Sequence, residues 1–213
     1  MTSYFFDTNF LFKRIFSKFY FDEYKLNDYF SNDSMFISNN VEYEFSNIFL
    51  EFSNQFNNFL IEPYYRIDKL GPHITCEDYQ KLTKSVEIIK FNNNNLSSII
   101  WNIITENKAR VSNDEFKKGL NKFIYDFNSY FHIKYDFLMK ELTIHKRLDN
   151  YYEIYNVLSP HIHTSDLKIC LDAHDLAVKN NISDLAFVSE DKVFKKNSEL
   201  ILENTKIDQI LHI

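Results

Sequence analysis

Three short apolar runs in this chain each stop abruptly at polar residues, and stretches with helical periodicity lie between them. Ser3-Tyr4-Phe5-Phe6 stops at Asp7-Thr8-Asn9, Met35-Phe36-Ile37 at Ser38, and Leu185-Ala186-Phe187-Val188 at Ser189-Glu190-Asp191. Runs this short, bounded by turn-forming residues, predict buried strands. After the first run, Phe10, Phe12, Ile15, Phe16 and Phe19 fall on one side of a helix, with Lys13, Arg14 and Lys18 on the other. After the second, Val41, Phe45, Ile48, Phe49 and Phe52 form a stripe at spacings of three and four, which predicts a helix from Asn40. His163-Thr164-Ser165 leads into a further helix from about Asp166 to the stop at Asn180-Asn181. The apolar residues of the tail, Leu200 to Ile213, supply one more helical turn and a closing strand.

Strands alternating with helices predict an α/β fold, an open parallel sheet covered by helices, in which functional residues collect beyond the carboxyl ends of the strands. Residues 71 to about 157 read differently. Gly71-Pro72 is a breaker, and helical stretches follow near 77–90, 95–108, 113–130 and 133–157, with Asn92 to Asn95 as a solvated turn. The expectation is one domain with a core from 1–70 and 158–213 and an all-helical elaboration over about 71–157.

Composition adds little and excludes some classes. With 45% apolar and 25% charged residues, 213 residues suffice to bury a core without staples. The abundance of Phe and Tyr beside 2 Gly and 3 Pro carries no functional weight. Cys76 and Cys170 have no Cys or His neighbours at zinc-ligand spacing, so reduced, buried thiols are expected. The start lacks a signal-peptide pattern, and no apolar stretch reaches roughly 18 residues. A soluble cytoplasmic protein without membrane association is expected. A formal charge of −6 argues against broad coating of a nucleic-acid backbone, though not against local phosphate contacts.

The candidate chemistry lies in carboxylates. Asp7 and Asp191 follow strands, and Asp166 opens a helix, so all three can face one edge of the sheet. Carboxylates gathered in a poorly solvated site require a cation, and oxygen ligands favour Mg²⁺ or Mn²⁺. Such an ion activates water for attack on phosphorus, so phosphodiester hydrolysis is the natural reaction. Asn9 and Ser189 can orient water or a carboxylate. Lys13, Arg14 and Lys192, with Lys18, Lys195 and Lys196 nearby, can rim the site and hold phosphates. Aromatics of the middle region, such as Trp101, Tyr125, Phe127, Tyr130 and Phe131, are candidates for base stacking but at helical spacing fit a core better. Asp172 and Asp175, further along the third helix, are expected on its solvated face. His161, His163 and His174 are read as structural or solvated in preference to a metal cluster.

Phe5-Phe6-Asp7-Thr8-Asn9 resembles the opening of PIN-domain nucleases. Ile37-Ser38-Asn39-Asn40-Val41-Glu42-Tyr43-Glu44 is similar to the family's second block, which selects Glu44 over Glu42; periodicity alone leaves these two open. Asp166-Leu167-Lys168-Ile169 and Phe187-Val188-Ser189-Glu190-Asp191 are similar to the third and fourth. The resemblance covers roughly residues 1–60 and 160–213, in order, and leaves the middle unexplained. It implies a parallel-sheet α/β/α sandwich of PIN type with an extra helical insertion. It also implies a metal-dependent endoribonuclease in which Asp7, Glu44, Asp166 and Asp191 are catalytic and hold Mg²⁺ or Mn²⁺. RNA is then the substrate, leaving products with 5′-phosphate and 3′-hydroxyl ends. The resemblance leaves room for an antitoxin or other regulatory protein and for a homodimer. Two other classes stay open: an inactive PIN-like scaffold that binds RNA or protein, and a haloacid-dehalogenase-like phosphatase. The latter wants a second Asp where this chain has Asn9.

Overall fold

The computed structural model describes residues 2–16 and 34–212; Lys18 and Phe19, from the first predicted helix, lie outside the described residues. In chain order the elements begin β1 (Ser3–Phe6), α1 (Thr8–Ile15), β2 (Ser34–Ser38), α2 (Asn39–Arg66), β3 (His73–Thr75), α3 (Cys76–Thr83), α4 (Asn93–Thr105) and β4 (Arg110–Ser112). They continue α5 (Asn113–Glu141), β5 (Thr143–His145), α6 (Tyr152–Leu158), α7 (Thr164–Asn180), β6 (Leu185–Ser189), α8 (Lys192–Lys196), α9 (Ser198–Asn204) and β7 (Gln209–His212). These form two compact units, Met1–Asn47 with Tyr135–Ile213, and Ile48–Lys134. The second unit therefore covers 48–134, where the sequence suggested 71–157. No breaker marks either boundary, because the chain passes from one unit to the other inside the continuous helices α2 and α5.

The first unit is mixed α/β around a five-stranded sheet in the order β5-β2-β1-β6-β7, every pairing parallel. The arrangement is consistent with an α/β/α sandwich. β1 and β6 are its centre: Phe5, Phe6 and Leu185 to Val188 are all fully buried, and the Phe5 and Phe187 rings stack at 5.9 Å. From β1 the chain goes on to β2 on one side of the sheet, and from β6 to β7 on the other. The carboxyl ends of β1 and β6 thus form the point where successive connections diverge, the position at which open parallel sheets leave a crevice for ligands.

One predicted helix, 133–157, is not a single helix. α5 ends at Glu141, Thr143–His145 pairs with β2 as an edge strand of the sheet, and α6 starts only at Tyr152. A three-residue strand has too few positions to display a period, so nothing local separates it from the helices around it.

The second unit is mainly helical but not wholly so, since β3 and β4 pair antiparallel. Thr75 and Asp78 make a reciprocal capping box at the start of α3. Asn92 accepts from the backbone of Asn94 and Asn95, so the expected solvated turn is a cap and the first turn of α4. Its core is aromatic: Phe56, Trp101, Phe116, Phe127 and Phe131 are buried, and the Phe56 and Phe127 rings lie 4.0 Å apart. Trp101, Phe127 and Phe131 are therefore core side chains, whereas Tyr125 is exposed. Each of the two glycines has a reason. Gly71 sits at φ +103°, a region that side-chain-bearing residues rarely enter. A Cβ on Gly119 would meet Ile104 Cγ2 at 2.5 Å. Gly119→Ala is expected to lower stability by about 1–2 kcal/mol in urea unfolding, because overpacking outweighs the roughly 1 kcal/mol gain in helix propensity. A more stable variant would refute the close approach. Among the described residues, no helix is long and apolar enough to cross a membrane.

Candidate functional site

At the divergence point, Asp7 follows β1 in an extended conformation and is only 3% exposed. Its backbone N–H continues the sheet by donating to Val188 O at 3.1 Å. Its Oδ1 caps α1 by accepting from the Phe10 backbone at 3.1 Å, and its Oδ2 accepts from the Ser189 hydroxyl. Burial raises its pKa from 3.8 to about 6, against the lowering effect of those hydrogen bonds, and the nearby negative charge of Glu190 adds to the rise.

Ser189 holds the two segments together, since its Oγ also accepts from the Asp191 backbone at 3.0 Å. Asp191 caps α8 through Oδ1, which accepts from Val193 N at 2.9 Å. Asp7 and Asp191 therefore both occupy helix N-caps, as either would in a purely structural role. What sets Asp7 apart is its burial as a carboxyl group shared between two strand ends.

The other acids approach from α2 and α7. Glu44 Oε2 accepts from the Thr8 hydroxyl at 2.9 Å, so Glu44 is directed to the turn that carries Asp7. Asp166 is half-buried, and its pKa is raised by burial and by the negative charges of Asp191 and Glu44, against a hydrogen bond from Ser165 and the charge of His163. Glu44, Asp166 and Asp191 thus share one electrostatic field. As the side chains stand, no three His, Cys, Asp or Glu among the described residues are grouped so as to hold a metal ion. The donor set is nonetheless all oxygen and negatively charged, the chemistry that a hard divalent cation requires.

Two of the basic residues are engaged with acids. Lys13 forms an ion pair with Glu190, and Arg14 lies 3.5 Å from Glu141 and donates to Met35 Sδ. Lys192, Lys195 and Lys196 are exposed on or beside α8. Asn9 is half-buried on the first turn of α1.

A second polar cluster lies at the carboxyl ends of β2 and β5, and it overturns the solvated reading of Asp172 and Asp175. These are 1% and 0% exposed, because α7 is buried on every side from Ile169 to Ala177. Asp175 accepts from His145 Nε2 at 2.8 Å, Tyr151 Oη at 2.7 Å and the backbone of Leu148 and Asp149. Burial pushes its carboxyl up, but these four bonds together hold it below the ordinary range. Tyr151 stands at φ +47°, a strained conformation for a bulky residue. Its ring packs edge-on to His174 at 4.4 Å, and His174 Nδ1 accepts from the Lys206 backbone, a structural role for this histidine.

Asp172 accepts from Asn40 Nδ2 at 2.9 Å and lies 3.3 Å from Arg147 Nε. Burial raises its carboxyl in spite of Asn40, Ser38, Arg147 and His145. The signal in the sequence was two acids within the run Cys170-Leu171-Asp172-Ala173-His174-Asp175-Leu176-Ala177. An acid in so apolar a run, once buried, requires partners. Both cysteines are free, Cys170 buried and Cys76 half-buried. Comparison of the chain with protein-family models, curated proteins and solved structures finds no match to any of them.

Proposed function

We propose that the protein is a metal-dependent ribonuclease whose site lies at the carboxyl ends of β1 and β6. The observation that carries this reading is Asp7: a buried carboxyl held near pKa 6 at the point where the sheet connections diverge, joined through Ser189 to the segment bearing Asp191. Burying a carboxylate costs several kcal/mol without a compensating charge. A site that tolerates this in a crevice, with Asp166 and Glu44 contributing further negative field, is suited to a cation.

Asp7, Glu44, Asp166 and Asp191 would hold Mg²⁺ or Mn²⁺. When bound, such an ion supplies Lewis acidity and lowers the pKa of water. The chain's own contribution is positional. Ser189 holds the Asp7 carboxyl, Thr8 donates to Glu44, and the buried strands β1 and β6 carry Asp7 and Ser189. At the rim, Lys13 pairs with Glu190, the acid whose charge adds to the rise at Asp7.

The test is cleavage of end-labelled RNA with and without Mg²⁺ or Mn²⁺. Asp7→Asn and Asp191→Asn are each expected to lower the rate by roughly 10²–10⁴-fold, with 5′-phosphate products from the wild type. A second reading, a PIN-like scaffold that binds RNA without cutting it, draws support from the capping roles of Asp7 and Asp191. Binding without metal-stimulated cleavage would decide for it.

A further inference from the structure

The cluster at the ends of β2 and β5 frames a cleft of about 230 Å³ lined by Ser38, Asn39, Asn40, His145, Lys146, Arg147 and Asp172. Two of its polar atoms are unmet. Asp172 Oδ1 and Arg147 Nη1 are buried and have no hydrogen-bond partner among the described residues. The two side chains do pair as charges, through Arg147 Nε at 3.3 Å from Oδ1, but without hydrogen-bond alignment. Asn40 donates to Asp172 Oδ2 and the Ser38 hydroxyl also bonds this carboxyl, and Oδ1 is the oxygen that lacks an aligned donor.

A carboxylate only accepts and a guanidinium only donates. The missing group must therefore donate to Asp172 and accept from Arg147. A metal ion would meet Asp172 but be repelled by Arg147 and Lys146. A bare phosphate would meet Arg147 but be repelled by Asp172. A hydroxyl does both jobs with one oxygen. Beside it, exposed Lys146 and the N-terminal backbone of the long helix α2, at Asn39 and Asn40, suit a phosphate attached to that hydroxyl's sugar.

We propose that this cleft is a ribose–phosphate subsite that reads a 2′-hydroxyl through Asp172 and Arg147 and so distinguishes RNA from DNA. The 2′-hydroxyl, donor and acceptor at once, is the group that separates the two nucleic acids. This deepens the ribonuclease reading and rests on it for the choice of ligand, yet the subsite is distinct from the crevice of Asp7 and needs no metal.

The experiment is fluorescence anisotropy of the full chain, in EDTA, with a short single-stranded RNA, the DNA of the same sequence and the fully 2′-O-methylated RNA. Wild type is expected to bind the RNA about tenfold more tightly than either analogue, the ratio that an unmet buried polar group of about 1.4 kcal/mol produces. Asp172→Asn places an amide where Oδ1 stood, and Arg147→Lys keeps the charge while removing Nη1; in each the ratio is expected to fall to within about twofold. Circular dichroism identifies a variant that has not folded, and the other variant then carries the test. Equal binding of RNA and DNA by wild type, as a bound water in the cleft would give, overturns the proposal. So does binding of neither, or a preference that survives in a folded variant. Metal-dependent cleavage by a wild type that shows no 2′-hydroxyl preference would sink the subsite alone. A preference without cleavage would sink the ribonuclease reading alone.

Discussion

Asp7→Asn is expected to melt at a higher temperature than wild type at about pH 8 while losing cleavage. Asn is as good an N-cap as Asp and keeps an oxygen for Phe10 N, so the substitution removes the charge and the acceptor of the Ser189 hydroxyl. The sign follows from the pKa. The carboxyl is raised in the folded state, from 3.8 to about 6. Its contribution to stability is therefore fully present below about pH 4, declines as pH rises through 6, and is gone by pH 8. The difference corresponds to about 3 kcal/mol at roughly 1.36 kcal/mol per pKa unit. Allowing for a weaker bond to Ser189, the gain at pH 8 should be about 1–3 kcal/mol, or roughly 2–10 °C in Tm for a chain of this size, and should vanish towards pH 4.

Millimolar Mg²⁺ should raise the Tm of wild type and leave the variant unmoved, since the ion offsets the charge that the variant lacks. Differential scanning calorimetry over pH checks both statements. A variant less stable than wild type at pH 8 would mean that the ionised carboxylate is a net structural asset, and the case for a cation site at Asp7 would fail with it. Stability gained where activity is lost is the usual signature of a strained functional group.

The opposite result is expected beside the edge strand β5. Asp175→Ala should destabilise the protein by about 3–5 kcal/mol, the cost of removing one partner from a buried charge network, because His145, Tyr151 and two backbone N–H groups lose their acceptor together. The segment 146–151, which includes Arg147 and the strained Tyr151, should lose its protection in hydrogen exchange. Asp175 is depressed in the folded state, so its stabilisation is present above its unfolded pKa and is lost as pH falls through the folded value. The deficit of the variant against wild type should therefore shrink in acid. A loss below 1 kcal/mol in urea unfolding would show that the loop is held by something other than this carboxylate.

Much of the first unit was legible in the sequence. Ser3–Phe6, Met35–Ser38 and Leu185–Ser189 announce themselves as strands because a buried parallel strand is apolar on both faces and ends where the chain leaves the core. Asp7 and Ser189 were singled out for the same reason, as the first polar residues beyond two such runs. Their contact was not legible, since it spans 182 residues and depends on β1 and β6 being neighbours. The pairing of β1 with β2 likewise brings Glu44 to Thr8.

The sequence by itself determined where local burial is strongest: the central strands, the stripes of α1 and α2, Leu167, Cys170 and Leu171 in α7, and most aromatic positions of the second unit. Only the tertiary structure decided three things. Thr143–His145 became a strand because β2 offered an unpaired edge. The units meet inside α2 and α5, where the chain itself gives no sign. Asp172 and Asp175 became buried because α7 is covered all round, and their partners come from Asn40, His145, Arg147 and Tyr151, which lie on other elements. Burial of an apolar side chain is written in its own neighbourhood, whereas a buried charge is fixed by partners far along the chain that only the fold brings together.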